Sequence, residues 1–446
     1  MLRLPRVAVG TIQDKVPSQP MCWALMDAFA RRDRHVQHFR SRSCFCPRNG
    51  ALAITGVSSR HLDSWLMTKA TCRELFAHGC AGRDLAVIEG HFSSPDAAPS
   101  KGSSLDTLCD WLDVPRLVVL DVSSLDDCRL PERPAQIDGL LLDGVGSQAE
   151  AFRLQTSLES LWDVPVLAAL GEVPGLRAAI SRLACGAIPP AELCRELGDE
   201  FLRLGRLDLI DALATRRDMP PPPVAIFARR DRRARSRQVT VAVAYDPAFN
   251  CYFPDTLDLL ELEGANVVDF SPLRDEILPE ADVVYLGCGH PEMYAEALSG
   301  NHCMLLALRN HVRSGGRVYA EGGGLAYLCQ RLETTGGAMV PMVGALPAVA
   351  RLNRQMAAPV PVEARLRGQS WLAPAGTHLR GYLNGHWVLE PVGPMRSYLA
   401  GPGHELDLVG QYQVIGSRLH LNFAAQSEFL KGFLSPREYS LAPSTT

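Results

Sequence analysis

Residues Arg317-Val-Tyr-Ala-Glu-Gly-Gly-Gly-Leu-Ala-Tyr-Leu328 read as a buried strand, a tight glycine turn and the start of a helix. This is the sequence form of a nucleophile elbow. A sharp strand-to-helix turn lifts one side chain into an open site, where backbone N–H groups and the helix N-terminus can hold an oxyanion. The chemistry expected there is acyl transfer through a nucleophile at the apex. The apex is Gly322, which has no side chain. The architecture of an enzyme is present without its central atom. Thirteen cysteines are scattered through apolar segments. Only Cys44 and Cys46 form a close pair, with no partners at metal-ligand spacing, so reduced structural thiols are expected.

The elements that must position such an elbow are short apolar runs alternating with helical patterns. Arg6-Val-Ala-Val9, Leu85-Ala-Val-Ile88, Arg116-Leu-Val-Val-Leu120, Gly139-Leu-Leu-Leu142 and Val164-Pro-Val-Leu167 read as strands buried on both faces. Such strands form a parallel sheet covered by helices. Met21 to Arg31, Leu62 to Ala77 and Gln148 to Leu161 supply crossover helices. A proline run, 219–223, and an arginine run, 229–237, then interrupt the pattern and read as a stiff, solvated linker. The rhythm restarts with Val239-Thr-Val-Ala-Val-Ala244, Asn266-Val-Val268, Val283-Val-Tyr-Leu286 and Arg317-Val-Tyr319. The expected fold is α/β: two doubly wound domains, 1–218 and 238–446, joined by residues 219–237. Ligands of such open sheets bind at the carboxyl ends of the strands.

Bulk composition narrows the function. The chain has 446 residues, 47% apolar and 21% charged, the balance of a globular protein. A net charge of −4 gives no electrostatic footprint for nucleic acid. No run of about eighteen apolar residues is present, so no membrane span is expected. The N-terminus enters a strand without a signal-peptide pattern, which makes a cytoplasmic location the expectation.

Several blocks together resemble a known family. They are Val241-Ala-Val-Ala-Tyr-Asp-Pro-Ala-Phe-Asn250, Phe270-Ser-Pro-Leu-Arg-Asp275, Leu278-Pro279 and Tyr285-Leu-Gly-Cys-Gly-His-Pro-Glu292. Ala320 to Leu328 and Ser417-Arg-Leu-His-Leu-Asn-Phe423 follow in order. The second domain resembles the glutaminase domain of the cobyrinic acid a,c-diamide synthases. The first resembles their P-loop synthetase domain more faintly, through 55–65, 88–90 and 102–104. The resemblance implies an N-terminal P-loop-NTPase-like domain and a C-terminal flavodoxin-like, class I glutaminase-like domain. It also implies ATP-driven amidation of tetrapyrrole carboxylates with ammonia from glutamine.

Carried over residue by residue, that chemistry is incomplete. The nucleotide loop corresponds to residues 10–20. Gly10, Thr11 and the Ser18 hydroxyl remain, but the inner glycines fall on Asp14 and Val16 and the phosphate-binding lysine on Pro17. Lys15 is the one cation left to substitute. Prolines and an acid make a poor phosphate nest, so Mg-ATP binding is disfavoured. Glu89 and Asp96 match acidic positions near magnesium. Asp143-Gly144 takes the place of an asparagine near the adenine.

In the second domain His420 matches the family base, Asn422 replaces a usual second histidine, and Gly322 replaces the nucleophilic cysteine. Gly287, Cys288, Gly289 and Gly323 occupy the oxyanion region. Cys288 is a candidate to rescue the nucleophile or to plug the pocket, and the plug is favoured. Cys329 is expected on the helix after the elbow, in the core. After Arg380-Gly381 the family's acceptor motif is gone, though His378, His386 and Trp387 lie nearby.

Three readings follow. The favoured one is a catalytically silent homologue that binds a partner: a tetrapyrrole, another protein or a second copy, since the family commonly pairs as dimers. The alternative is an ATP- and ammonia-dependent amide ligase using Lys15, Ser18, Glu89 and Asp96. The third is a hydrolase in which Glu321 and His420 activate water, although Glu321 more simply supports the turn.

Overall fold

The computed structural model describes residues 3–13, 16–45, 48–93, 102–125, 130, 132–183, 187–222, 224–228, 238–355, 359–400 and 407–435. It divides into two units, Met1–Ile226 and Phe227–Thr446.

The first unit is built on seven strands: β1 (Arg6–Thr11), β2 (Val36–Arg40), β3 (Arg60–His61), β4 (Leu85–His91), β5 (Arg116–Asp121), β6 (Gly139–Val145) and β7 (Val166–Gly171). They form one parallel sheet in the order β3-β2-β4-β1-β5-β6-β7. Val7 and Val9, Val87, and Leu117 and Val119 share one buried core with the helix Gln19–Ala30. That helix buries residues all round, from Pro20 to Phe29. It is therefore a core element rather than a surface crossover.

Two sequence expectations shift. The strand read at 164–167 runs from Val166 to Gly171. The helix expected from Leu62 begins only at Lys69, capped by Thr68, whose side chain accepts from the Thr71 N–H. The reason lies in Asp63. Its carboxylate accepts from the backbone of Ser43, Trp65 and Leu66, which holds 63–66 in a turn.

The start of the linker is not free chain. Met219 is buried, Arg73 bonds the Pro220 carbonyl, and Glu74 accepts from the Ala225 and Ile226 N–H groups at 2.9 and 2.7 Å. The arginine run 229–237 lies outside the described residues.

In the second unit β8 (Thr240–Ala244), β9 (Asn266–Phe270), β10 (Val283–Leu286) and β11 (Arg317–Glu321) form a parallel core. The strands after the elbow are β12 (Cys329–Glu333), β13 (Met339–Pro341), β14 (Leu346–Leu352), β15 (Val360–Leu366), β16 (His378–Leu383) and β17 (Trp387–Pro391). They continue with β18 (Arg396–Ser397), β19 (Leu399–Ala400), β20 (Val409–Gln411), β21 (Val414–Ser417) and β22 (Leu419–His420).

The main sheet runs β18-β20-β21-β11-β10-β8-β9. Two four-stranded sheets, β13-β12-β14-β17 and β19-β15-β16-β22, supplement it. They go beyond a plain doubly wound domain. Cys329 is buried as expected, but it opens β12 instead of lying on the helix. Among the described residues no helix is long and apolar enough to cross a membrane.

Candidate functional site: a filled elbow

Strand β11 delivers Glu321 to the turn, and the helix Gly323–Leu328 leaves it. Gly322 sits between them at φ 51°, ψ −107°, a left-handed conformation that favours glycine. The backbone donors of the turn are taken by the protein itself. Gly322 N–H donates to the Ser417 carbonyl at 2.8 Å and Gly324 N–H to the Gly287 carbonyl at 3.1 Å. The Gly323 N–H, the expected oxyanion donor, faces the Cys288 sulfur and favours its ionised form, an effect that burial outweighs.

Residues 287–289 run beside the elbow because their backbone is stitched to the 248–251 turn. Cys251 N–H donates to the Cys288 carbonyl and His290 N–H to the Ala248 carbonyl, both at 3.0 Å. A Cβ on Gly289 would lie 2.0 Å from the Ala248 oxygen, so that position must be bare. Position 288 carries a side chain, and it enters the elbow. Its sulfur lies 2.8 Å from where a Cβ on Gly322 would sit. It is also 3.8 Å from His420 Nε2 and 3.9 Å from Nδ1. The thiol thus fills the space of the missing side chain and touches the family base.

Burial sets the electrostatics. It pushes the Cys288 thiol well above its ordinary range and drives the His420 imidazole down to about 3. A neutral thiol faces a neutral imidazole, not the thiolate–imidazolium pair of a cysteine hydrolase. Glu321 is fully buried. Its Oε1 accepts from the Tyr319 hydroxyl at 2.6 Å and from Leu421 N–H at 3.3 Å. Burial outweighs both bonds and raises its carboxyl to about 8. Glu321 is therefore mostly protonated at neutral pH and ties β11 to the chain after β22. Asn422 is fully buried, and its Oδ1 accepts from Ala424 N–H at 3.0 Å.

In the first unit Gly10 and Thr11 end β1. A Cβ on Gly10 would come within 2.8 Å of the Gly90 carbonyl. Gln13 clamps the following loop to β5: its Nε2 donates to the Asp121 carbonyl at 3.0 Å, and its Oε1 accepts from Asp121 N–H at 2.8 Å. Ser18 Oγ donates to Glu89 Oε1 at 3.3 Å. Glu89 Oε2 lies 3.2 Å from His38 Nε2 and 3.6 Å from the Arg40 guanidinium. Burial alone would raise this carboxyl, but Arg40 and His38 outweigh it and hold Glu89 at about 2. The structure thus brings Ser18 and Glu89 together. Lys15 and Asp96 lie outside the described residues. Asp143 is buried and paired with Arg177.

The residues near the lost acceptor motif separate. His378 pairs with exposed Glu363, and Trp387 enters the core. His386 instead meets Glu292, which also holds His290. Sequence reasoning quoted His290-Pro-Glu292 only as scaffold and missed this meeting. The partners are 94 residues apart, and no local spacing announces the contact.

Residues 240–427 match the family model of the CobB/CobQ-like glutamine amidotransferase domain. Among curated relatives, the cobyrinate a,c-diamide synthase of Syntrophotalea carbinolica is 30% identical over 413 residues, 87% of this chain and 88% of that one. The enzyme of the same name from Archaeoglobus fulgidus is 30% identical over 77% of each chain. That of Salmonella typhimurium is 28% identical over 92% of this chain and 93% of its own. A solved glutamine amidotransferase aligns with 44% of this chain and 96% of its own, at 18% identity and a TM-score of 0.34. The elbow, with its strand order and the segments that flank it, thus lies within a match that spans most of the sequence, and the chain belongs to the cobyrinate a,c-diamide synthase family.

Proposed function

We propose that this chain is a glutaminase-silent member of its family and serves as a binding or partner subunit in tetrapyrrole metabolism. One observation carries the reading. The Cys288 sulfur occupies the elbow where a nucleophile would stand, beside the Gly323 N–H that would face an oxyanion. Glutamine hydrolysis needs both that space and that donor. A buried sulfur in that space is a plug, because a substrate carbonyl would have to displace it.

The first unit supports the same reading. Mg-ATP needs a backbone cradle, a lysine and free oxygen ligands for magnesium. Pro17 stands at the lysine position, and the Ser18 hydroxyl is spent on Glu89. The Arg40 guanidinium already pairs with Glu89. These residues do not fit Mg-ATP. The ligand class, a tetrapyrrole, comes from the name of the relatives.

The test is glutamine hydrolysis by the purified chain, with Mg-ATP titration and a visible absorption spectrum. No ammonia release and no heat to millimolar Mg-ATP, with a tetrapyrrole band or a co-purifying protein, is the expected result. Ammonia release from glutamine by the native chain would falsify the silent elbow. A second reading, an ammonia-dependent amide ligase, draws on the retention of the Ser18 and Glu89 side chains side by side, against the loss of the lysine at Pro17. Micromolar Mg-ATP binding with ammonia-dependent phosphate release would select it.

A further inference from the structure

Beside the elbow, three side chains converge that no step above uses. His290 follows the 287–289 segment, and Glu292 lies in the short turn after it. His386 lies in the turn between β16 and β17. Glu292 Oε1 is 3.0 Å from His290 Nδ1 and 2.9 Å from His386 Nε2. One oxygen thus faces two imidazole nitrogens, and one ligand atom from each residue lies within 4.8 Å of the others. Glu292 is only 5% exposed, and its second oxygen, Oε2, is buried without a hydrogen-bond partner among the described residues. A buried carboxylate oxygen left bare is costly unless a cation or donor meets it.

We infer that His290, Glu292 and His386 form a binding site for a divalent transition metal of the zinc class. Two imidazoles and one carboxylate are the donor set of an open zinc centre, with a fourth position for water. Tetrahedral bonds of about 2.1 Å place neighbouring ligand atoms about 3.4 Å apart. The observed 2.9 and 3.0 Å separations need open by only about 0.4 Å to reach that figure. Binding needs a lone pair on each ring nitrogen that now faces the carboxylate, so a proton held there moves to the other ring nitrogen or to solvent.

The scaffold holds the site ready. His386 N–H donates to Asn384 Oδ1 at 3.0 Å, and its carbonyl accepts from Asn353 N–H at 2.8 Å. Its ring stands edge-on to both His290 and Trp387. The side chains of His290 and His386 are 16% and 23% exposed, so solvent reaches the ligands. The inference does not rest on the silent elbow, because none of the three residues contributes to it.

The experiment titrates the full-length, chelator-treated protein with zinc under competition by a chromophoric chelator, and with cobalt(II) for its visible spectrum. The expected result is one micromolar or tighter site. Its cobalt spectrum should show d–d bands without the intense near-ultraviolet thiolate band that any of the thirteen cysteines would give. His386→Ala, a change at a partly exposed turn residue, should weaken binding at least tenfold while leaving the far-UV spectrum intact. His290→Ala should do the same. Absence of micromolar binding, a thiolate band at the single site, or native affinity retained in both alanine variants overturns the site.

Discussion

The Cys288 sulfur lies 2.8 Å from the point that a Cβ on Gly322 would occupy. Two positions on facing segments therefore compete for one volume. The side chain missing from the elbow's apex is matched by one added on the opposite wall. The pair behaves as a unit: either position can carry a side chain, but not both without rearrangement.

Reinstating the apex cysteine alone should fail. Gly322→Cys places two thiols in one space, an overpacking that costs about 1–3 kcal/mol. The variant should melt below the native protein and release no ammonia from glutamine. Adding Cys288→Gly should recover most of that stability and open the space before the Gly323 N–H. Differential scanning calorimetry reads the first effect. Covalent capture of a glutamine-analogue inhibitor by the double variant, but not by the single one, reads the second.

Native thiol reactivity should follow exposure. Cys303 is exposed, whereas Cys288 is buried against His420. Iodoacetamide should label Cys303 in the folded protein and reach Cys288 only after denaturation. Peptide mass spectrometry of timed samples reads the order. Labelling of Cys288 at the rate of Cys303 would show an open, reactive elbow.

Glu321 makes stability depend on pH in a stated direction. Its carboxyl rises from an ordinary 4.5 to about 8 in the fold. Between those values the unfolded chain has lost the proton that the folded chain keeps. Its contribution therefore weakens stability as pH rises through this window. Glu321→Gln removes the titration while keeping an oxygen for Tyr319 and Leu421. The variant should gain on the native protein from pH 5 to pH 8, at about 1.4 kcal/mol per unit of pKa shift. Urea melts at the two pH values read the difference. A constant gap between them counts against a protonated Glu321.

Much of this was legible in the chain. Buried β-branched runs give the parallel sheets, because strands covered on both faces must be apolar throughout. The Glu321-Gly322-Gly323 turn and the side chain missing at Gly322 follow from residue identity alone. The two extra sheets did not announce themselves. Strands such as β15 and β16 alternate buried and exposed residues over short lengths, and several of their neighbours span only two or three residues. The side-chain turn at Asp63 hid the true helix start, since a helical pattern does not reveal a local competitor for backbone donors. The direction of Cys288 into the elbow depends on Ala248 and Cys251 holding the backbone beside it, a contact between distant segments.

In the first unit, Arg40 should be essential to the charge of Glu89. Removing one partner of a buried pair costs about 3–5 kcal/mol. Arg40 is 18% exposed, so Arg40→Met should sit near the lower end of that range. With its carboxyl held at about 2, Glu89 contributes stability above its ordinary 4.5 that is lost as pH falls towards 2. The Arg40→Met penalty should therefore shrink at pH 4, where the unpaired carboxyl can take a proton. Glu89→Gln in the same background should restore most of the loss at pH 7, as read by chemical denaturation.

The backbone of the elbow carries a last consequence. A side-chain-bearing residue at φ 51°, ψ −107° is held in a sparsely populated conformation at a cost of about 1–3 kcal/mol, sustained by the surrounding structure. Glycine adopts that geometry with little penalty. The bonds to Ser417 and Gly287 no longer have tension to oppose. A turn that must be kept wound in a working hydrolase is here relaxed, and regaining a nucleophile would mean winding it again.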